Sequence, residues 1–280
     1  MFNNLTRRTL YGAVFGLAAA LLWTAEAQAA AASASPADPG NKHIYVGQYD
    51  LATNLWGISG AGSAWTAYIF TNSTTTMDGS GYKWSGFTGN ADDVKAYASL
   101  RRGASNAQNN AAVSGLPYLY GSNTRNVDVL WNFESTDYSG AGSIVGKYNH
   151  TLDVFFNEIN DKNQANIRGE IMVITDSSQN SQTNGWGVKD ATPFVLEGET
   201  WDVWQATQHS NGYSWHVTQF RKRVNAKYFN RNLKTFFGEA AVRRPDIFKS
   251  SYYVMMVEAG TEIKTGSGRV YNKNYSVSVY

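Results

Sequence analysis

A short apolar segment at residues 168–176, with the sequence RGEIMVITD, contains a carboxylate that could take part in chemistry. The β-branched residues of this segment predict a strand, and alternation along a strand places Glu170, Met172 and Ile174 on one face. Removing a carboxylate from water is costly unless it is paired or hydrogen-bonded. Glu170 is therefore either an edge-strand residue that reaches solvent, or a buried group with the perturbed proton affinity that active-site carboxylates have.

Two other predicted strands also carry carboxylates. Residues 151–157 contain Asp153, and residues 252–262 place Glu258 and Glu262 on one face. The periodicity does not choose between Glu258 and Glu262. Carboxyl groups from several strands could converge in one cleft, where they would supply a paired acid and base.

Other kinds of chemistry find little support in the sequence. The chain has no cysteine, which excludes cysteine nucleophiles and cysteine-ligated metal sites. The histidines are scattered, without the short spacing of a metal-ligand pair: His43, His150, His209 and His216. Neither a G-x-x-x-x-G-K phosphate loop nor a G-x-S-x-G nucleophile motif occurs. We therefore expect no metal and no cofactor.

The elements that would position these carboxylates are predominantly strands. Short alternating segments separated by Gly, Asn, Ser and Thr are typical of an all-β sandwich or jelly roll. The segments are 64–70, 126–132, 151–157, 169–175, 200–205, 214–220, 252–258 and 275–280. An apolar stripe from Phe229 to Ala240 has helical spacing, and Pro245 forbids its continuation. We expect this one helix to pack on the outer sheet.

Length and composition are those of a single globular domain. Of 280 residues, 42% are hydrophobic and 16% are charged, and the formal net charge is +2. A β-sandwich of this size needs no second domain, and the near balance of charge gives no support for a nucleic-acid partner. The nine tryptophans are more than a core alone would need, and their flat faces suit stacking on sugar rings.

Residues 1–29 have the pattern of an export signal. Arg7 and Arg8 precede an apolar stretch, and small residues at its end offer cleavage sites. The stretch is too short for a membrane anchor, and the arginine pair leaves both the general and the twin-arginine export routes open. We expect a signal peptide at 1–29, a flexible segment at 30–41 and one jelly-roll domain at 42–280. The mature protein is expected to be secreted, to the medium or the periplasm.

Three short motifs resemble those of glycoside hydrolase family 12. They are T-N-L-W-G at 53–57, G-E-I-M-V at 169–173 and A-G-T-E-I-K-T-G-S-G at 259–268, in the family's order. The strand with Asp153 precedes the second motif, as in the family, and the resemblance covers most of residues 45–279. It implies a concave β-jelly roll of two antiparallel sheets and the activity of an endo-β-1,4-glucanase or xyloglucanase.

Carried over residue by residue, the resemblance implies roles for three of the carboxylates. Glu170 would be the nucleophile and Glu262 the general acid/base of a retaining double displacement. Asp153 would be hydrogen-bonded to the nucleophile and would tune the distribution of protons, most usefully in mildly acidic solution.

The resemblance also implies how a sugar would be held. Asn54 and Trp56 would bind a sugar on the non-reducing side of the cut, Trp56 by stacking unless it is a core residue. Met172 would lie beside the nucleophile on the cleft face. The chain departs from the family at Ile174, where members often have Trp, and at Ile263, where some have Pro. The loss of a stacking ring at 174 bears on substrate preference.

The partner implied by the resemblance is a β-1,4-linked glucan such as cellulose, mixed-linkage β-glucan or xyloglucan. The protein is expected to act as a monomer, without nucleic acid and without membrane contact once the signal is removed. The alternative is a non-catalytic β-glucan-binding jelly roll. Such a binder would keep the tryptophan platforms but has no reason to keep both glutamates within their motifs.

Overall fold

The structure, a computed structural model, describes residues 29–104, 115–121 and 123–280. The predicted export signal at residues 1–29 lies outside the described residues, apart from Ala29. Within the described ranges, no helix is long and apolar enough to cross a membrane.

Strands dominate the described part of the chain, and each segment predicted to be a strand overlaps one. The strands are β1 Ala30–Ala34, β2 His43–Val46, β3 Tyr49–Ala52, β4 Thr66–Thr71, β5 Gly81–Phe87, β6 Ala96–Gly103, β7 Tyr118–Leu119, β8 Val127–Thr136, β9 Tyr148–Asn157, β10 Ile167–Ser177, β11 Val188–Lys189, β12 Phe194–Leu196, β13 Glu199–Ser210, β14 Tyr213–Lys222, β15 Tyr228–Asn232, β16 Tyr253–Ile263 and β17 Gly266–Val279. The α-helix α1 spans Lys234–Arg243, and short 3-10 helices span Ile58–Gly60 and Gln164–Asn166.

These strands form two sheets. The smaller has the order β1-β4-β5-β17-β8-β15, and the larger has the order β11-β13-β14-β10-β9-β16-β6-β3-β2, with β12 on β13 and β7 on β16. The predicted sandwich is confirmed, with one difference: the larger sheet is mixed, since β10 and β14 run parallel. The parallel pair arises because β13 and β14 form a hairpin whose second strand lies next to β10.

The two sheets bury one hydrophobic core between them. Leu100 of β6 and Val257 of β16 reach this core from the larger sheet, and Trp84 and Trp131 reach it from the smaller one. Full burial of an apolar side chain contributes roughly 1.5–3 kcal/mol to stability. Because side chains alternate along a strand, the residue that follows Val257, Glu258, lies on the opposite face of the larger sheet.

The helix begins later than its apolar pattern predicts. Phe229 lies in β15 and pairs with β8, so the predicted start of the helix was wrong. The Asn232 side chain accepts a hydrogen bond from the backbone N–H of Lys234 at 3.0 Å, which favours a helix that begins after the strand. Phe229 and Leu233 share helical spacing because the strand and the helix bury their apolar residues in the same core. The helix ends ahead of Pro245, as predicted.

The helix packs against the core-facing side of the larger sheet. The Phe236 ring makes edge contacts with Trp201 of β13 and Phe220 of β14, each with centroids 5.2 Å apart. The Phe237 ring lies 5.4 Å from that of Phe156 on β9. The prediction that the helix packs on the outer sheet was therefore wrong. The sequence shows the apolar stripe, but it does not show which sheet covers that stripe.

The first part of the segment predicted to be flexible, residues 30–41, is a strand. Ala30–Ala34 form β1, which pairs antiparallel with β4 at the edge of the smaller sheet, and Ala34 is buried. A sheet edge offers unpaired backbone donors and acceptors that another segment can satisfy. The composition of this segment, with its small side chains, is typical of a linker. Its strand conformation depends on pairing with β4, which lies later in the chain.

Candidate active site

The face of the larger sheet that points away from the core borders an open cleft of about 830 Å³. The four carboxylates that the sequence singles out all line it: Asp153, Glu170, Glu258 and Glu262. They come from β9, β10 and β16, which are neighbours in the sheet. The edge-strand interpretation of Glu170 is therefore wrong, because β10 is flanked by β9 and β14.

Strand register brings the carboxylates together. Asp153 has Met172 on β10 and Glu258 on β16 as its Cα partners. Glu170 pairs with Phe155, so Glu170 and Asp153 are diagonal neighbours on one face of the antiparallel pair. Side chains directly opposite each other are about 4.5–5.5 Å apart at Cβ, and diagonal ones roughly 7–8 Å. Met172 thus lies beside both carboxylates on the cleft face, where the sequence places it.

Glu170 is buried and accepts one strong hydrogen bond. The indole Nε1 of Trp215 donates to Glu170 Oε2 at 2.6 Å. Burial raises the pKa of Glu170 to about 8, the Trp215 hydrogen bond opposes this rise, and the charges of Glu262 and Glu258 add to it. The side chain is thus a carboxyl that can change its protonation state near neutral pH.

Asp153 is buried more deeply and accepts a hydrogen bond from the Thr151 hydroxyl at 3.0 Å. Burial raises the pKa of Asp153 well above its usual range, and the charges of Glu170, Glu262 and Glu258 raise it further. Both carboxyls of the Asp153–Glu170 pair therefore favour the protonated form. The charge of Glu170 acts on Asp153, and the expected hydrogen bond between the two carboxyls stays a prediction.

Glu258 is half of a buried ion pair. Its Oε1 accepts hydrogen bonds from Arg101 Nε at 2.5 Å and from the Ser99 hydroxyl, and Asn54 Nδ2 lies 3.5 Å away. Removing either partner would leave the other charge buried without its counterpart, which is costly. The geometry therefore gives Glu258 the role of a structural ion-pair partner of Arg101.

Glu262 has a neutral partner instead. Asn149 Nδ2 donates to Glu262 Oε2 at 2.6 Å. The Asn149 Oδ1 atom accepts from the Ser177 hydroxyl at 2.7 Å and from Arg221 at 3.3 Å, which fixes the amide with its NH₂ group toward Glu262. The amide holds the carboxyl in place, and the charges of Arg221 and Lys264 act on it without the direct ion pair that Glu258 makes. Of the two glutamates that periodicity leaves open, Glu262 is the better suited to proton transfer.

The two residues expected to hold a sugar also line the cleft. Trp56 is 57% exposed, which rules out the core interpretation of this ring. Asn54 adopts a left-handed backbone conformation with φ of 44°, which asparagine tolerates better than most residues, and its side chain points to Glu258. A flat ring and an amide are thus available on the β3 side of the carboxylates.

Ile174 lies on the cleft face but is covered. It is 2% exposed and belongs to a small apolar cluster that also contains Met172, Trp215 and Val217. The shared face with Glu170 agrees with the alternation of the strand. However, the side chain is covered by its neighbours, so it offers no surface to a bound sugar.

A second exposed ring, which the sequence analysis missed, is Trp186. It lines the cleft on the segment between β10 and β11, and its backbone carbonyl accepts a hydrogen bond from Gln219 Nε2 at 3.1 Å. The neighbouring Gly185 lies flat on Trp204, where a Cβ atom would come within 2.1 Å of the indole. The sequence could have indicated that this ring is exposed, because a tryptophan between two glycines (Gly185 and Gly187) is poorly suited to the interior of a strand.

The described residues contain no group of three or more His, Cys, Asp or Glu side chains placed to hold a metal ion. The carboxylates converge on a space that is lined by rings and amides as well as by acids. This arrangement is suited to binding a polyhydroxylated chain and to proton transfer.

Comparisons with known proteins bear on the family and the fold of this chain. The model of the family described as glycosyl hydrolase family 12 matches residues 47–280. The fold is similar to that of the family 12 xyloglucanase from Bacillus licheniformis in complex with ligand, with a TM-score of 0.75 and 24% identity over 90% of this chain and 100% of that chain. A comparison with curated proteins gave no match.

Two further solved structures resemble the fold at lower identity. Endoglucanase 3 of Trichoderma harzianum has a TM-score of 0.68 and 17% identity, over 91% of this chain and 100% of that chain. The catalytic domain of Humicola grisea Cel12A, in complex with a soaked thio-cellotetraose, has a TM-score of 0.65 and 18% identity, over 85% of this chain and 96% of that chain. The predicted jelly roll is thereby confirmed.

Proposed function

The chain belongs to glycosyl hydrolase family 12, and we propose that it is an endo-acting β-1,4-glucan hydrolase with a retaining mechanism. The observation that carries the proposal is the contrast between two glutamates in one cleft. Glu170 is buried against the Trp215 indole, and Glu262 is held by the Asn149 amide. Two carboxyls in different surroundings can take the two different roles that glycoside hydrolysis requires.

In the first step the Glu170 carboxylate attacks C1 of the sugar. The bond from C1 to the bridging oxygen breaks, and Glu262 gives its proton to that oxygen as the leaving chain departs. In the second step Glu262 takes a proton from water, the water oxygen bonds to C1, and Glu170 is released. Each step inverts C1, so the product keeps the β configuration.

The surroundings of Glu170 must keep it ionised for this attack. The Trp215 hydrogen bond favours the ionised form of Glu170. Asp153 is the neighbouring group that can hold a proton in its place, since burial and nearby charge raise its pKa as well. This division supports a role for Asp153 in setting the protonation state of the nucleophile through charge.

The glucan would lie across the strands of the larger sheet. Trp56, on the β3 side of the carboxylates, offers a ring for a sugar on the non-reducing side of the cut, and Asn54 offers an amide. Trp186, which comes from the segment after β10, offers a second ring in the same cleft. The names of the similar structures, a xyloglucanase and endoglucanases, support β-1,4-glucan as the substrate class.

We also propose that the protein is exported. The support is the pattern of residues 1–29, with paired arginines, an apolar stretch and small residues before the first described strand. Expression of the full chain in a bacterial host, followed by fractionation and N-terminal sequencing, tests this proposal. A product in the cytoplasm that still begins at Met1 would contradict it.

Release of reducing sugar from barley β-glucan, carboxymethylcellulose and xyloglucan tests the activity. We expect the wild type to act on at least one of them, and Glu170→Ala and Glu262→Ala to lose nearly all of this activity while keeping a wild-type circular dichroism spectrum. Glu134→Ala is a suitable control, because Glu134 is an exposed residue of the smaller sheet that pairs with Lys273. Its activity should match that of the wild type.

The binding-only alternative predicts a different outcome. A non-catalytic glucan-binding protein would be retained on a glucan affinity gel but would release no sugar from any of the three polymers. A folded Glu170→Ala, Glu262→Ala double variant with wild-type turnover would contradict the assignment of these two residues.

A further inference from the structure

We propose that the stacked rings of His43 and Tyr45 form a distal glucan-binding subsite at the edge of the larger sheet. The proposal rests on the proposed function and extends it, since it names a part of the surface outside the cleft that would hold the same polysaccharide. Both residues belong to β2, the last strand of the larger sheet on the β3 side.

Register places Tyr45 in line with the carboxylates. Its Cα partner is Asp50 on β3, whose partner on β6 is Arg101; Arg101 pairs with Glu258, and Glu258 pairs with Asp153. Cα partners in a sheet share a face, so this row lies on the cleft face from β9 to the sheet edge. Tyr45 is therefore the continuation of the cleft floor.

The intervening residues of β2 confirm the face. Ile44 and Val46 are buried in the core between the sheets, so His43 and Tyr45 must point the other way. Tyr45 is 61% exposed. Its ring and that of His43 are nearly parallel, at an interplanar angle of 5°, with centroids 5.8 Å apart. Since each stacked ring covers one face of the other, the outer face of the exposed Tyr45 ring is the apolar surface on which a sugar ring could stack.

A buried carboxylate holds the histidine of this pair in place. His43 Nδ1 lies 3.0 Å from both carboxylate oxygens of Asp50. Asp50 is fully buried and lies 3.9 Å from Arg101, which in turn pairs with Glu258 in the cleft. The histidine ring is thus connected through two buried charged residues to the catalytic region. A ring that is already fixed loses little entropy when a ligand binds.

The distance between Tyr45 and the carboxylates determines how long a glucan must be to reach both. Tyr45 is four strand spacings from Asp153, which at about 4.8 Å per spacing is roughly 19 Å. A disaccharide bound at the carboxylates cannot span this distance, whereas a longer β-1,4-glucan can. The pair should therefore contribute to the binding of long chains and not to that of short ones.

Binding to the inactive Glu170→Gln variant tests this inference. Isothermal titration with β-1,4-gluco-oligosaccharides from trisaccharide to octasaccharide should show affinity that rises with length. Adding Tyr45→Ala should weaken the octasaccharide roughly two- to tenfold relative to the trisaccharide, the scale expected for one aromatic contact. Tyr45→Phe, which keeps the ring, should preserve the length dependence, and His43→Ala should reduce it less than Tyr45→Ala does.

Tyr228→Ala is the matched control, because Tyr228 is a similarly exposed tyrosine on β15 of the other sheet. Its length dependence should equal that of the parent. If the ratio of octasaccharide to trisaccharide affinity in Tyr45→Ala equals that of the parent, the subsite is overturned. This holds whether neither affinity changes or both weaken equally. Hydrolysis of the same oligosaccharides by the wild type is measured separately, so failure of the subsite and failure of the proposed function give different results.

Discussion

Trp215 donates a hydrogen bond from its indole Nε1 to Glu170 Oε2 over 2.6 Å. The two residues belong to β14 and β10, the parallel neighbours of the larger sheet. The indole favours the ionised form of Glu170, whereas burial and the charges of Glu262 and Glu258 favour the protonated form. This contact therefore affects the fraction of Glu170 that can act as a nucleophile at a given pH.

Trp215→Phe should move the acidic limb of the pH profile to higher pH. Loss of the donor removes an interaction that lowers the pKa of Glu170, so a higher pH is needed to ionise it. A hydrogen bond to a charged group is worth about 1.5–3 kcal/mol, which corresponds to a shift of roughly one to two pH units. The measurement is kcat/KM against pH on barley β-glucan.

Trp204→Phe provides the control for this variant. Trp204 is a buried indole in the same sheet, and its Nε1 donates to the Ser181 carbonyl at 3.0 Å, not to a carboxylate. Its acidic limb should stay where the wild type has it. An acidic limb that shifts equally in both variants would mean that general loosening of the cleft, and not the Glu170 contact, is responsible.

The protonation of Glu170 also predicts how stability depends on pH. Its pKa is about 8 in the folded chain and has its ordinary value of 4.5 when exposed. Below pH 4.5 both states are protonated; above it the unfolded chain releases its proton first. The free energy of unfolding therefore falls as the pH rises from about 4.5 to 8.

Glu170→Gln should remove this contribution. We expect the variant to be more stable than the wild type near pH 8, by an amount on the order of a few kcal/mol, and similar to it near pH 4. Urea unfolding at several pH values measures the difference. Glu134→Gln, at an exposed site, should follow the wild type at every pH. If the Glu170→Gln curve runs parallel to that of the wild type, then Glu170 does not titrate between these values.

The strands and the identity of the carboxylates could be read from the sequence because both depend on local pattern. Alternation determines which residues share a face with Glu170, and in the structure Met172 and Ile174 lie on that face. The choice between Glu258 and Glu262 came from the family resemblance and not from periodicity. The partners that distinguish them, Arg101 and Asn149, are distant in sequence and reach them only through strand pairing.

The errors have a common physical origin in long-range pairing. Ala30–Ala34 form a strand because they pair with the exposed edge of β4. The helix packs against the larger sheet because its phenylalanine rings contact Trp201 and Phe156. Neither partner is apparent from local composition. Ile174 was correctly placed on the cleft face, but its burial depends on neighbouring strands and could not be read from alternation.

Ile174→Trp should destabilise the protein and should not improve substrate binding. Ile174 is packed among Met172, Trp215 and Val217, so a larger ring must displace its neighbours, at a cost of about 1–3 kcal/mol. Thermal unfolding and KM on xyloglucan measure the two effects, and Ile174→Leu, which conserves volume, should change neither by much. A several-fold fall in KM with unchanged stability would show that the side chain is open to the cleft.

The stereochemistry of the product tests the roles of the two glutamates most directly. If Glu170 forms a covalent intermediate with C1, the new reducing end appears first as the β-anomer, before mutarotation. Proton NMR during the first minutes of digestion distinguishes the anomers. The same intermediate should let an added alcohol compete with water, which gives transglycosylation products.

With a dinitrophenyl β-glycoside, whose leaving group departs without a proton, Glu262→Ala should still form the intermediate. Azide should then attack C1 without a general base, release Glu170, restore turnover and yield a β-glycosyl azide. Glu170→Ala, which cannot form the intermediate, should not give this product and serves as the control. If the α-anomer appears first, the mechanism inverts, and inverting enzymes hold their carboxyls about 6.5–9.5 Å apart to admit a water molecule. Glu170 would then be a base that activates water, and the double displacement proposed for this cleft would be wrong.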